Sequence, residues 1–174
     1  ETALPLLKPG FEAGTEGWET IGPPFSLLIN DAAHSGTMGL RVTDQSDTLG
    51  SNIRSAKVAV TGGGHYAVRF WGRSLAGRGA GIYVEFWDAK GTLLSTQVRD
   101  SIVVFSVPQT ATDWTPFTVT AEAPHAAVSL TIWIHSFNAS ITTAELDDFS
   151  VVGLTDEEAK TVRTTPTADG RNHT

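Results

Sequence analysis

Apolar and polar residues alternate with a period of two along three segments of the chain. Tyr66, Val68 and Phe70 are the apolar positions of residues 66–73; Ile82, Val84 and Phe86 are those of residues 82–88. In residues 128–135 they are Val128, Leu130, Ile132 and Ile134. Successive side chains of a strand point to opposite faces, so each segment predicts a strand with one greasy face. The intervening positions hold Arg69, Trp71, Arg73, Tyr83, Glu85, Trp87, Thr131, Trp133 and His135. The expectation is a single sheet surface on which tryptophans stand among charges.

Similar alternation, bounded by Gly, Pro, Asn or Asp, predicts strands near 25–30, 38–43, 51–60, 65–73, 81–88, 92–99, 102–106, 115–121, 127–137 and 144–152. Gly62, Gly63 and Gly64, Gly77 and Gly79, Gly91 and Pro124 mark turns between them. Before residue 154 no stretch has helical periodicity. Many short strands at this spacing predict an all-β fold, a two-sheet antiparallel β-sandwich or jelly roll. The composition changes after residue 154, where charges and threonines replace large apolar residues. Residues 1–154 are therefore expected to form the module. Residues 155–174 read as a linker or disordered tail toward another domain, with a short capped helix able to start at Thr155.

A chain of 174 residues fits one domain with a sizeable core. The formal charge of −7 argues against nucleic acid as a partner, because a phosphate backbone demands a basic footprint. No apolar run approaches the ~20 residues of a membrane span, so no membrane partner is expected. With no cysteine, thiolate metal sites, thiol catalysis and disulfides are excluded. His34, His65, His125 and His173 lack ligand spacing, which argues against a transition-metal site.

Aromatic faces attract the polarised C–H groups of a pyranose and bury wide, flat areas with few rotors to freeze. Polar groups at the edge then fix orientation. Arg69, Trp71, Arg73, Tyr83, Glu85, Trp87, Trp133 and His135 are accordingly the candidate ligand-binding residues for a hydroxyl-rich chain. Arginine grips carboxylate or sulfate bidentately, which admits an acidic polysaccharide. Equally, Arg69 or Arg73 could pair with Glu85 across strands, leaving a neutral glycan. The bland alternative is that this face packs beneath loops or against a neighbouring domain. Trp18 and Trp114 lie outside the alternating faces and read as packing residues.

Five phrases, in order, carry a resemblance. They are residues 8–18 (Lys-Pro-Gly-Phe-Glu through Gly17-Trp18), 34–42, 55–73, 113–117 and 144–151, the last containing Asp147-Asp148-Phe149-Ser150. Together they resemble carbohydrate-binding modules of families 4, 9 and 22, galactose-binding-like jelly rolls, over about residues 6–153. One departure is Lys8, where the family phrase has Asn. The resemblance implies a ligand cleft on a concave sheet and a structural calcium ion away from it. It implies Glu12 and one carboxylate of Asp147 or Asp148 as calcium ligands, meeting carbonyl oxygens around Gly10, Ser35 and Met38, and parity favours Asp147 as the main side-chain ligand. From the residues themselves, Asp147 shares parity with Phe149 and Val151 and should point inward, while Asp148 should be exposed.

The expected function is that of a non-catalytic module that binds polysaccharide and targets an attached glycan-degrading enzyme. Such a module is expected to be monomeric within a larger bacterial enzyme, secreted or at the cell surface. Two rivals use the same fold. One is a polysaccharide lyase, in which Tyr83 and His135 would move protons; the other is a protein-interaction or adhesion module. Neither the paired acids of a glycosidase nor a G-x-S-x-G turn is present.

Overall fold

The computed structural model describes residues 1–12, 17–20, 26–94, 103–137 and 140–166. β-Branched and aromatic residues at alternate positions form two antiparallel sheets packed face to face. The strands are β1 (Thr2–Leu4), β2 (Trp18–Thr20), β3 (Ser26–Ile29), β4 (Gly39–Asp44), β5 (Asn52–Ser55), β6 (Val58–Ala59) and β7 (His65–Gly77). They continue with β8 (Gly81–Trp87), β9 (Val103–Ser106), β10 (Thr115–Glu122), β11 (Ser129–His135) and β12 (Thr142–Leu154). The first sheet has the order β10-β7-β12-β4-β3, with β1 also paired to β12. The second has the order β2-β5-β11-β8-β9, with β6 also paired to β11.

The apolar positions meet between the sheets. Leu40, Phe70, Phe117, Leu146 and Phe149 come from the first sheet, and Ile53, Ile82, Val84, Phe86, Leu130, Ile132 and Ile134 from the second. Phe70 stacks on Phe149 with ring centroids 5.0 Å apart, and its edge meets Phe105 at 6.1 Å. Each large buried side chain of this kind contributes roughly 1.5–3 kcal/mol of hydrophobic stabilisation. Val128, expected in this set, precedes β11 and is 45% exposed.

The main correction concerns the expected single face. β7 and β8 are separated by only residues 78–80, yet they belong to different sheets. Gly77 takes a left-handed φ of 70°, which L side chains rarely adopt. Gly79 lies so close to the Val107 carbonyl that a Cβ would sit 1.7 Å from its oxygen. The chain therefore arches from one sheet to the other instead of folding back as a hairpin. Arg69, Trp71 and Arg73 thus leave the sandwich on one side; Tyr83, Glu85, Trp87, Thr131, Trp133 and His135 leave it on the other.

Other differences are smaller. The expected strand over 51–60 is two strands, β5 and β6, and the short β1 and β2 were not anticipated. Of the strand expected over 92–99, Leu93 makes an isolated bridge to Trp87, and residues 95–99 lie outside the described residues. At the C-terminal end, Thr155 and Glu158 form a reciprocal capping box on the helix α1 (Asp156–Ala159). The chain then runs beside β10: Thr165 N–H donates to the Thr118 carbonyl at 2.8 Å, and Thr118 and Thr120 N–H donate to the Thr165 and Thr164 hydroxyls. Residues 155–166, expected as linker, are thus bonded to the sandwich, and residues 167–174 lie outside the described residues.

Gly39, which opens β4, tests the closeness of this packing. A Cβ there would lie 1.8 Å from the Ala32 carbonyl oxygen. Gly39→Ala is expected to lower stability by about 1–3 kcal/mol in chemical denaturation. An unchanged midpoint would mean that the neighbouring loop yields freely.

Candidate functional site

On the outer face of the second sheet, β8 and β11 pair Tyr83 with Trp133, Glu85 with Thr131 and Gly81 with His135. β5 places Arg54 opposite Trp133. Arg54 was not anticipated, although its alternation with the buried Ile53 and Ser55 marks it as outward-facing. It is the partner of Glu85: Nε donates to Oε1 at 2.8 Å and Nη2 to Oε2 at 3.0 Å. The sequence offered Arg69 or Arg73 for this pairing, and the arch between β7 and β8 puts both on the opposite side.

A chain of hydrogen bonds extends from the pair. Trp87 Nε1 donates to the Thr131 hydroxyl at 2.8 Å, and that hydroxyl donates to Glu85 Oε1 at 2.9 Å. The Arg54 guanidinium lies over Trp87 at 5.3 Å and Trp133 at 5.9 Å, and the Lys57 ammonium lies over Trp87 at 4.8 Å. Such cation–π contacts add attraction and fix the rings in place.

Beside this braced area runs an aromatic row. Tyr83 and Trp133 have centroids 4.6 Å apart, Trp133 stacks on His135 at 4.7 Å with planes 15° apart, and Phe137 lies 5.7 Å from His135. Tyr83, Trp87, Trp133, His135 and Phe137 all retain partial exposure, whereas Glu85 is only 4% exposed. Burial raises the Tyr83 phenol above its ordinary value and is the main cause lowering the His135 imidazole. The Trp133 indole Nε1 is buried and has no hydrogen-bond partner among the described residues.

The outer face of the first sheet is filled differently. Glu145, fully buried, receives Arg41 Nε and Nη2 on Oε2 at 3.0 and 2.8 Å, and Arg73 on Oε1 at 2.8 Å. Arg73 also lies 4.8 Å over the Trp114 ring. Trp71 stacks on His34 at 4.0 Å, and His34 meets the edge of Trp114 at 5.4 Å. Arg69 binds Glu1 bidentately at 2.6 and 2.7 Å, a hydrogen bond that raises its already high pKa further. Arg69, Trp71 and Arg73, expected to grip a ligand, are each already engaged, by Glu1, His34 and Glu145.

The residues expected around calcium do gather. Gly10 lies beside Asp147 and Asp148: a Cβ there would be 3.8 Å from Asp147 Oδ1 and 3.5 Å from Asp148 Oδ1. Glu12 accepts from the Thr37 hydroxyl at 2.6 Å and from the N–H groups of Thr37 and Met38, and the hydroxyl bond is the main cause holding its carboxyl below the ordinary range. Asp147 Oδ2 accepts from the N–H groups of His34 and Ser35 at 2.8 and 3.2 Å. Asp147 is fully buried, and desolvation leads in raising its pKa despite three backbone donors.

Asp147 reaches this position by a route that parity did not foresee. Asp148 adopts φ 53°, and the register of β12 against β7 slips between Asp147 and Ser150. This bulge puts Asp147 on the outer face, opposite Trp71, while Phe149 still enters the core. Asp148 is partly buried, bonded to the His34 ring at 2.7 Å and the Ser35 hydroxyl at 2.6 Å. Hard carboxylate oxygens beside a glycine suit calcium. Their present partners, however, are N–H and O–H donors, and among the described residues no three acidic or His side chains are arranged to hold a metal.

A family model described as a carbohydrate-binding domain, covering families 4 and 9, matches residues 6–140. No curated protein matches the chain. Among solved structures, a family 16 carbohydrate-binding module is 22% identical with a TM-score of 0.63, covering 84% of this chain and 97% of that one. The family 22 xylan-binding domain from Paenibacillus barcinonensis is 18% identical with a TM-score of 0.59, covering 88% and 97%. A family 61 module solved with β-1,4-galactotriose is 18% identical with a TM-score of 0.54, covering 88% and 100%. At these identities the structural likenesses concern the β-sandwich fold.

Proposed function

Because the chain belongs to this carbohydrate-binding domain family, we propose that it holds a polysaccharide on the outer face of the second sheet, without cleaving it. The observation that carries this is the row Tyr83, Trp133 and His135, partly exposed beside a rigid charged brace. A pyranose can lie on these rings at low entropic cost, because the rings are already fixed by neighbours. Glu85 keeps both oxygens on Arg54 and one on Thr131, so it serves as a brace rather than a free acid.

The charge pattern favours a neutral glycan over an acidic one. Arg54 is neutralised by Glu85, and Arg69 and Arg73 stand on the opposite sheet, bonded to Glu1 and Glu145. Of the guanidinium groups on the described part of this face, Arg78, exposed and 5.2 Å from the Phe137 ring at the end of the row, is the one without a carboxylate partner among the described residues. Xylan, bound by the family 22 relative, and β-1,4-galactan, the polymer of the galactotriose bound to the family 61 module, are the first candidates. In this reading the module is secreted and carries an attached glycan-degrading enzyme to its substrate.

Affinity electrophoresis through gels containing xylan, β-1,4-galactan or polygalacturonate tests the reading. Retardation in a neutral gel and free passage in polygalacturonate is the expected result. Retardation by polygalacturonate alone would overturn it.

A structural calcium ion belongs to the same proposal. Glu12 and Asp147 would hold it, with carbonyl oxygens of Gly10, Ser35 and Met38, and its charge would compensate the buried Asp147. At a hundredfold excess over its dissociation constant, a ligand stabilises a fold by about 2.7 kcal/mol. For a chain of this size that is a rise in Tm of roughly 5–10 °C. Calcium should produce such a rise after chelation, and Asp147→Asn should abolish it. A Tm indifferent to calcium would remove the ion from the account.

A further inference from the structure

β10 is an outermost strand of the first sheet: β7 pairs along one side, and among the described residues no strand flanks the other. An edge strand presents a row of N–H and C=O groups, which makes it a template for pairing with another chain. Alternate residues of an antiparallel strand turn both backbone groups to the same side. Thr118 turns its N–H and carbonyl away from β7, and Thr120 its N–H; Pro116 and Glu122 share their parity. Phe117, Val119 and Ala121 anchor the strand in the core, so its outer edge is held in a fixed position.

Residues 164–166 lie on this edge without continuing the sheet. The Thr165 N–H donates to the Thr118 carbonyl at 2.8 Å. The Thr118 and Thr120 N–H groups donate instead to the hydroxyls of Thr165 and Thr164, at 2.8 and 3.0 Å. Side-chain hydroxyls end a ladder that backbone carbonyls would extend. Pro166, exposed, then has no N–H to offer a further strand. Upstream, Arg163 returns its guanidinium to the carbonyls of Ala159, Lys160 and Val162, closing the end of α1. Packing contributes little to this strap. α1 has no buried residue, and a cleft of about 230 Å³ remains between Ala159 and Val162 and the sandwich residues Tyr66, Ala121 and Leu154. The threonine bonds are therefore what hold it down.

We infer that residues 155–166 guard the β10 edge, and that the surface they cover fits a second copy of this chain. The outward groups are self-complementary. About a two-fold axis at Val119, Thr118 of one copy faces Thr120 of the other, and each pair exchanges N–H and C=O bonds. Threonine opposite threonine is a favourable cross-strand pair. At both ends of this short ladder Pro116 meets Glu122, where a missing donor and a carboxylate stop it from lengthening. One such edge per molecule closes as a dimer.

The test uses the full chain. Thr164→Val with Thr165→Pro removes both hydroxyl acceptors and the N–H donor while touching no core residue. Hydrogen exchange followed by NMR should find the Thr118 and Thr120 amides protected in wild type. In the double variant at low concentration they should exchange about tenfold faster. Sedimentation velocity from about 10 μM to about 1 mM should show wild type as a monomer throughout and the double variant passing to a dimer. Thr120→Pro, added to the double variant, deletes an outward N–H and should restore the monomer. Thr118→Lys, a charge on the same edge, is the second check should the proline unfold β10. Thr164→Ser with Thr165→Ser, which keeps every bond, should behave as wild type.

Unprotected Thr118 and Thr120 amides in wild type, or equal exchange in the double variant, would overturn the guard. A double variant that exchanges fast yet stays monomeric, or grows beyond a dimer, would overturn the second copy as its partner. So would a dimer that persists with both Thr120→Pro and Thr118→Lys, since it would rest on another surface.

Discussion

Alanine at Trp133 or at Tyr83 is expected to weaken polysaccharide binding by about thirtyfold or more, and alanine at Trp71 to leave it within twofold. The sequence alone would have ranked the three together. The structure separates them because Tyr83 and Trp133 are paired neighbours on the second sheet, while Trp71 stands on the first, one face covered by His34. Central aromatic contacts of this kind each carry ~2 kcal/mol or more of binding energy. Isothermal titration with the glycan identified by electrophoresis measures the loss, and circular dichroism checks that each variant is folded. A Trp71→Ala protein that fails to bind, beside a Trp133→Ala protein that binds normally, would move the site to the opposite sheet.

Glu145→Gln should be the most damaging single change to stability, by about 3–5 kcal/mol in chemical denaturation. Its carboxylate is fully buried and compensates two guanidinium groups, Arg41 on one oxygen and Arg73 on the other. An amide keeps the shape but leaves two cations converging on a neutral group. Replacing all three residues together, as Arg41→Met, Glu145→Leu and Arg73→Met, should recover most of the loss, since apolar substitution of a buried ionic triad is often neutral or stabilising. A Glu145→Gln protein within about 1 kcal/mol of wild type would show that water already screens the triad.

Strand positions were legible because the chain alternates cleanly where one face is buried. Val68, Phe70, Ile82, Val84, Leu130 and Ile132 all enter the core as period-two patterning requires. Alternation assigns a side, however, and says nothing about which sheet a strand joins. That choice was made by residues 78–80, where Gly77 and Gly79 allow an arch that few other residues would permit. The same limit hid Arg54, which meets Glu85 only because β5 and β8 both flank β11. At Asp148 a one-residue bulge broke parity itself, so Asp147 was right as a buried carboxylate and wrong as an inward-facing one. The aromatic row was half legible: Tyr83, Trp133 and His135 stood out, but Phe137 lies past the end of β11.

The division of labour along β8 and β11 has a consequence for variation. Ile82, Val84, Ile132 and Ile134 serve the core, while Tyr83, Trp133 and His135 between them stand half-buried on the outer face. The two sets interleave in the same strands on opposite faces, so one can be rewritten with little effect on the other. Randomising positions 83, 133 and 135, with Arg54, Glu85 and Thr131 held constant, offers a compact library from one stable parent. Descendants of a common ancestor could have exchanged one sugar preference for another along the same path, three residues at a time, with the fold left undisturbed.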